Sequence, residues 1–483
     1  MRINQKRKIL DLMTTIEEGF EYARNSEADN AARMLKDCMD GLSFLTSLLS
    51  DEPVISGRLQ DAIHDVHFIL RETLEYDEFI SYLNKIHGIM NEARSNVIYD
   101  IRTELEIAFM PYKSSMWDSL ESIYNAAEKD PHCTCYVVPI PYYEKNAEGQ
   151  IIRFCYEGNE FPEHLKTIPF ELYDFENREP DIIYIHNPFD HYNKLTVVNP
   201  RFYSENLAKY TEMLVYVPYY VAGSTEKPGI DFLPSFNNMD KIIVQSQNLK
   251  DAYVQSGVDS NKLLNLGSPK LDAMLTVVRE PLELSTQWES VLRDRTVILF
   301  NTGIADLLSV QTWLEQIVEV INCFIEHRQL ALIWRPHPLT EITIKTMRPQ
   351  VAQAYEQIKE AIRKANNIIV DTSSDIYPAV SASDGIISDY SSVMMQYIVT
   401  EKPVLGLLSK KMLEENRSYY SDYLGCYFTN QDVTVPDFIE IVERKEDFKK
   451  EERISRLRNS ISNSDGTCGE KVHYSIKDEV IKF

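Results

Sequence analysis

Short apolar runs that end in polar turns recur along this chain from residue 104 onward, and they alternate with stretches of helical spacing. The first series is "EIAFMPY" (106–112), "CTCYVVPIPYY" (133–143), "DIIYIHNP" (181–188), "MLVYVPYY" (213–220) and "KIIVQSQ" (241–247). The second is "TVILFNTG" (296–303), "LALIWRPHP" (330–338), "NIIVDTS" (367–373), "DGIISDYSS" (384–392) and "KPVLGLL" (402–408). Strands that alternate with helices form parallel sheets covered on both faces. Two such series predict an α/β protein with two Rossmann-like domains facing one cleft, at 104–275 and 276–440. Helical periodicity fills 1–103 (Ile9, Leu12, Met13, Ile16, Phe20), with a break expected over "SDEPVISG" (50–57), and a helical tail is expected over 441–483. Within the two series the helices are expected around 114–127, 310–327 and 346–364. The N-terminal helices read as a packing or oligomerisation element, with acceptor or membrane docking as the other reading.

Ligands of open parallel sheets bind beyond the carboxyl ends of the strands. Each polar cluster here follows a strand-like run. In "SDYSSVMMQY" (388–397), Ser391 and Ser392 open a helix whose apolar face is Val393, Met394, Tyr397 and Ile398. First-turn N–H groups and the macrodipole favour an anion, and two hydroxyls add donors for a phosphate; an ordinary serine cap explains the same pattern. In "WRPHP" (334–338), Arg335 can neutralise a polyanionic leaving group while His337 donates a proton, or the pair can be a structural arginine with a capping histidine. "GSPKLD" (267–272) is a turn offering a backbone amide and a hydroxyl near the junction of the two series. In "YIHNPFDHYN" (184–193), His186 beside the carboxylate of Asp190 is a candidate general base, and a buried structural histidine fits equally. Lys113, Ser114 and Ser115 occupy the first strand-to-helix loop.

Charge removes several function classes. The formal net charge is -24, which disfavours duplex nucleic acid and adsorption to anionic membranes through bulk charge. No apolar run reaches the roughly 18–20 residues of a membrane span, and the N-terminus carries no signal-peptide segment. With seven scattered cysteines this predicts reduced thiols and a cytoplasmic protein. Cys133 and Cys135 have no partner pair at zinc spacing, so no metal site is expected. There is no Walker loop, no G-x-G-x-x-G and no Asp-x-Asp, which fits a metal-independent transferase with a two-domain cleft.

Taken in order, "GSPKLD", "RPHP" (335–338), "YPAVSASDGIISDYSSVMMQYIVTEKPV" (377–404) and "SDGTCGEKV" (464–472) resemble the CDP-glycerol glycerophosphotransferase family, the enzymes of teichoic acid priming and polymerisation. The resemblance spans roughly 260–472, and the first half looks like a distinct bacterial branch. It implies a GT-B architecture and transfer of glycerol phosphate, or a related alditol phosphate, from CDP-glycerol to a hydroxyl of a polymer or lipid-linked glycan, releasing CMP. No separate cofactor is implied. By motif, Arg335 and His337 would meet the donor pyrophosphate, and Ser391 and Ser392 would hold its phosphates. Asp389 would order that turn, Ser268 and Lys270 would sit near the cleft, and Asp465 and Gly466 match the family's closing turn. The resemblance also implies work at the inner face of the cell membrane, as a peripheral protein.

One departure stands out. Polymerases of the family carry a Trp-His-Gly segment whose histidine is taken as the base, and the corresponding "VYVPYYVAGS" (215–224) has no histidine. His186 has taken over, the acceptor is activated in another way, or the activity has changed. Two other readings stay open: a GT-B glycosyltransferase using a nucleotide sugar, and a degenerate GT-B scaffold that binds a partner.

Overall fold

The computed structural model describes residues 1–482 apart from 147, 194, 223–231, 310–311, 374, 390, 408–424 and 430. Four helices come first: α1 (Ile3–Arg24), α2 (Ala28–Leu48), α3 (Pro53–Arg71) and α4 (Tyr76–Tyr99). Each lays one apolar stripe into a shared core that includes Met13, Ile16, Leu35, Leu42, Leu59, Val66, Ile86 and Met90. The break expected over 50–57 is shorter, because Pro53 starts α3 and Gly57 continues it. A proline in the first turn removes an N–H that has no helical partner anyway. Lys6 ties the bundle to the segment that leads into the first sheet. Its buried ammonium donates to the carbonyls of Ile98 (2.8 Å) and Ile101 (3.0 Å) and to Thr103 Oγ1 (3.0 Å). Among the described residues no helix is long and apolar enough to cross a membrane.

The first sheet holds β1 (Leu105–Phe109), β2 (Cys133–Val137), β5 (Ile182–Ile185), β7 (Met213–Tyr216), β8 (Lys241–Val244) and β9 (Leu263–Asn265), in the order β2-β1-β5-β7-β8-β9. All its pairings are parallel. The run expected as one strand over 133–143 is two. Pro139 and Pro141 lack the donors a ladder needs, so β2 stops at Val137, and Tyr142–Lys145 forms β3 of a small antiparallel sheet. Its partners are β4 (Ile151–Cys155) and β6 (Thr196–Val198).

The second sheet contains β10 (Thr296–Thr302), β11 (Leu330–Pro336), β12 (Ile368–Val370), β13 (Gly385–Ser388), β14 (Val404–Gly406) and β15 (Tyr427–Phe428). Its order is β12-β11-β10-β13-β14-β15, all parallel. The fold is GT-B-like, two Rossmann-like sheets preceded by the helical bundle. The helix expected over 346–364 is two, Thr340–Met347 and Ala352–Lys364, separated at Pro349.

The C-terminal segment is divided between the lobes. Helix Val435–Arg444 packs against the second sheet through Val435, Phe438, Ile439 and Val442. Helix Cys468–Val480 returns to the first sheet, placing Val472, Ile476 and Val480 against Ile107, Phe109 and Ile123. Asp130 holds it there, accepting from Lys477 Nζ and from His473 Nε2 (3.0 Å). The helical segment expected over 441–483 thus runs as a strap between the two sheets.

Candidate functional site

In the second sheet the strand order reverses between β10 and β13, the switch point where doubly wound sheets open a crevice for ligands. Asn301, near the end of β10, donates through Nδ2 to Ser388 Oγ and Ser391 Oγ, both at 3.1 Å. Ser388 and Ser391 are themselves 3.1 Å apart. Ser391 caps the helix Ser392–Tyr397, accepting from the Met394 N–H at 3.4 Å. Its hydroxyl is therefore built into the turn, whereas Ser392 is exposed. Tyr390 lies outside the described residues.

Asp389 joins the two turns by accepting the Gly303 N–H through Oδ2. A Cβ at Gly303 would lie 3.0 Å from that oxygen, a tight contact that would push the carboxylate back by a few tenths of an ångström. Asp389 Oδ1 and Asp306 Oδ2 are buried with no hydrogen-bond partner among the described residues. Burial, and next the negative charge of Asp306, push the Asp389 carboxyl up to about 7, and burial pushes Asp306 up to about 6.

One strand away, at the end of β11, Arg335 and His337 line a cavity of about 570 Å³ together with Trp334, Thr340, Tyr355 and Ser373. The Arg335 guanidinium is engaged from several sides. It ion-pairs with Asp371 and donates to Ser373 Oγ (3.2 Å), to the Asp375 carbonyl (2.9 Å) and to the Ser373 carbonyl (2.9 Å). It thus braces Asp371, Ser373 and Asp375, the structural role that the sequence offered beside contact with the donor pyrophosphate. His337 is different. Its Nδ1 accepts the Leu339 N–H at 3.1 Å, which places the proton of the neutral ring on Nε2 as a donor. Burial lowers its pKa, favouring that neutral form. The residue is half-buried.

The first-lobe candidates are built into structure. His186 is fully buried; Nε2 accepts the Tyr112 N–H (3.1 Å), and Nδ1 lies 3.2 Å from the Met116 carbonyl and 3.3 Å from Ser119 Oγ. Burial drives its pKa down to about 3. With both ring nitrogens engaged and the ring out of contact with solvent, His186 has the geometry of the buried structural histidine and is poorly placed for a base. Asp190 makes no bond to it; the carboxylate accepts Ser204 N–H (3.0 Å) and Ser204 Oγ–H (2.6 Å), holding the start of helix Ser204–Leu207. Ser268 Oγ is buried without a partner after Gly267, which sits at φ +102 where a side chain would strike the Ser462 carbonyl. Lys270 is buried and ion-paired with Asp118 of the first lobe. Asp118 also accepts from the Tyr377 hydroxyl of the second lobe at 2.6 Å. Asp465 Oδ1 accepts from Thr467 Oγ1–H (2.6 Å), and its carbonyl accepts from Arg279.

The sequence reading missed Asn301, Asp118 and Tyr377. For Asn301 a signal existed, an amide where the apolar β10 ends; Asp118 and Tyr377 are 259 residues apart and gain meaning only from the fold. Among the described residues one group has metal-ligand spacing, Asp130, Cys133 and His473. The Lys477 ammonium already occupies Asp130 Oδ2, so these atoms form the ion-paired clasp of the C-terminal helix.

Residues 221–478 match the family model described as CDP-glycerol:poly(glycerophosphate) glycerophosphotransferase. The chain belongs to this family. It is therefore a glycerophosphotransferase-type enzyme, and the match takes in the whole second sheet with its polar edge. Among solved structures it is similar to a protein from Listeria monocytogenes described as a UDP-N-acetylglucosamine 2-epimerase. The identity is 15%, with 78% of this chain and 96% of that one covered and a TM-score of 0.50; at that identity the likeness is one of fold. It is also similar to the wall teichoic acid polymerase TagF, at 14% identity over 84% of this chain and 98% of that chain, TM-score 0.48. No curated protein matches. Within the family the absent Trp-His-Gly segment falls at 215–224, of which 223 and 224 lie outside the described residues.

Proposed function

We propose that this enzyme transfers glycerol phosphate, or a closely related alditol phosphate, from CDP-glycerol to a hydroxyl of a growing or lipid-linked surface polymer of the teichoic acid type, releasing CMP. The family match over 221–478 carries this reading. The chemistry of the second-sheet edge supports it. Transfer from a diphosphate needs donors aimed at the charge that builds on the leaving group. The Nε2–H of His337 and the exposed Ser392, at the ends of strands on either side of β10, are groups of that kind. Arg335 contributes by fixing the 371–375 turn, and Asp389 by fixing the turns after β10 and β13. The protein's own side chains supply this chemistry without an added cofactor, and the lack of a membrane-crossing helix among the described residues is compatible with peripheral work on a lipid-linked acceptor.

A melting experiment tests the donor. A ligand that binds only the native state stabilises it by about 2.7 kcal/mol at a hundred times its Kd. CDP-glycerol should raise Tm in proportion, and UDP-N-acetylglucosamine should not. Protection by UDP-sugars alone would instead favour the sugar-transfer reading.

A further inference from the structure

An acceptor hydroxyl must lose its proton as it attacks phosphorus, and the first-lobe histidine that sequence nominates is sealed, with both ring nitrogens engaged. The base has to lie on the ligand-bearing edge of the first sheet, at the boundary with the second lobe. Two described carboxylates around that sheet have a buried oxygen without a partner, Asp118 and Asp181. Asp181 precedes β5, at the opposite edge, and is bonded to Arg2. Asp118 follows β1, in the 3-10 helix Ser114–Ser119, and its carboxylate meets Tyr377 of the other lobe.

Asp118 is held by two groups on one oxygen. Lys270 ion-pairs with Oδ2, the Tyr377 hydroxyl donates to the same oxygen at 2.6 Å, and Oδ1 meets no described donor. Tyr377 is in turn set by Asp375, whose Oδ1 accepts its N–H (2.8 Å) and whose carbonyl accepts from Arg335 (2.9 Å). A continuous run of bonds thus connects the donor-side arginine to Asp118. Glu121 also faces this junction: burial first, and Asp118 next, push its carboxyl up.

We infer that Asp118 is the general base of this enzyme, its Oδ1 receiving the proton of the acceptor hydroxyl, with Lys270 and Tyr377 as positioning residues. This rests on the proposed transfer from CDP-glycerol. The acceptor oxygen bonds to the phosphorus that carries glycerol, and the bond from that phosphorus to the bridging oxygen breaks, its electron pair leaving with CMP. The hydroxyl proton passes to Asp118. The Tyr377 hydroxyl and the Lys270 ammonium both occupy Oδ2, which leaves the lone pairs of Oδ1 for that proton.

The test compares wild type, Asp118→Asn and Asp118→Glu for CMP release from CDP-glycerol with a short poly(glycerol phosphate) oligomer as acceptor, and for CDP-glycerol affinity by calorimetry. General-base loss typically costs about 10²–10⁴-fold in rate. Asp118→Asn should fall in kcat by that order, keep donor Kd within about twofold and lose the rising acidic limb of the pH–rate profile, whose other facing groups are Lys270, Tyr377 and Glu121, the last in turn near Asp375 and His164. If the amide variant does not fold, Asp118→Glu, which retains the ion pair, decides: its acidic limb should move with donor affinity unchanged. A limb that does not move, turnover equal to wild type, or parallel loss of donor binding with the limb intact would overturn the inference while leaving the proposed donor standing. A wild type that fails to bind CDP-glycerol would overturn both.

Discussion

Residue by residue, the second-lobe edge separates groups that face a ligand from groups that hold the edge in shape. In the proposed reaction His337 is of the first kind: its Nδ1 is committed to the Leu339 N–H, and its Nε2–H has no partner among the described residues. Replacing it with Ala should lower CMP release by about 10²-fold or more while leaving the melting temperature within a degree or two; retained turnover would remove it from the chemistry. Asp389 is of the second kind, and it carries a pH signature. Its carboxyl titrates near 7 in the folded protein and near 4 unfolded, so the native state holds the extra proton between those values. The contribution of this carboxyl to stability is then fully present below pH 4 and is lost as pH rises toward 7. Asp389→Asn should flatten that decline in urea midpoints measured from pH 5 to 8, and an unchanged slope would contradict the assignment. The motifs "RPHP" and "SDYSS" were legible in sequence as polar endings of apolar strands. That Arg335 would be spent on Asp371, and Ser391 on Asn301, was not, because those partners lie 36 and 90 positions away.

At the level of elements, the periodicities of 2 and 3.6 located most strands and helices, and the errors share one cause. Proline acted according to its position: it opened α3 at Pro53, ended β2 ahead of Pro139 and split the helix at Pro349. The return of helix Cys468–Val480 to the first sheet left no local mark, since an apolar stripe does not say which lobe it covers. Asp130 decides it. Burial alone would raise its carboxyl, but the bonds from Lys477 and His473 outweigh that and hold it below the usual carboxylate range. Removing one partner of a buried ion pair costs about 3–5 kcal/mol. Asp130→Ala should therefore lower the unfolding free energy by that order in denaturant titration, and a loss under 1 kcal/mol would show that the helix is held by its apolar face alone.

For the whole molecule, the two parallel sheets were implicit in the alternation of strands and helices, and the N-terminal bundle in the helical periodicity ahead of them. What alternation cannot give is how the lobes meet. That meeting is made by Asp118, Lys270 and Tyr377, and by the strap that crosses between the sheets. In the proposed reaction the donor is gripped at the switch point between β10 and β13. It does not sit in the larger cavity of about 710 Å³ at the opposite edge of the same sheet, which is lined by Arg279, Arg295, Lys402 and Lys445. Amide hydrogen exchange with and without CDP-glycerol separates the two directly. Slowed exchange at 302–306 and 388–396 is the predicted result; protection confined to 275–279 and 399–403, or none anywhere, would contradict it.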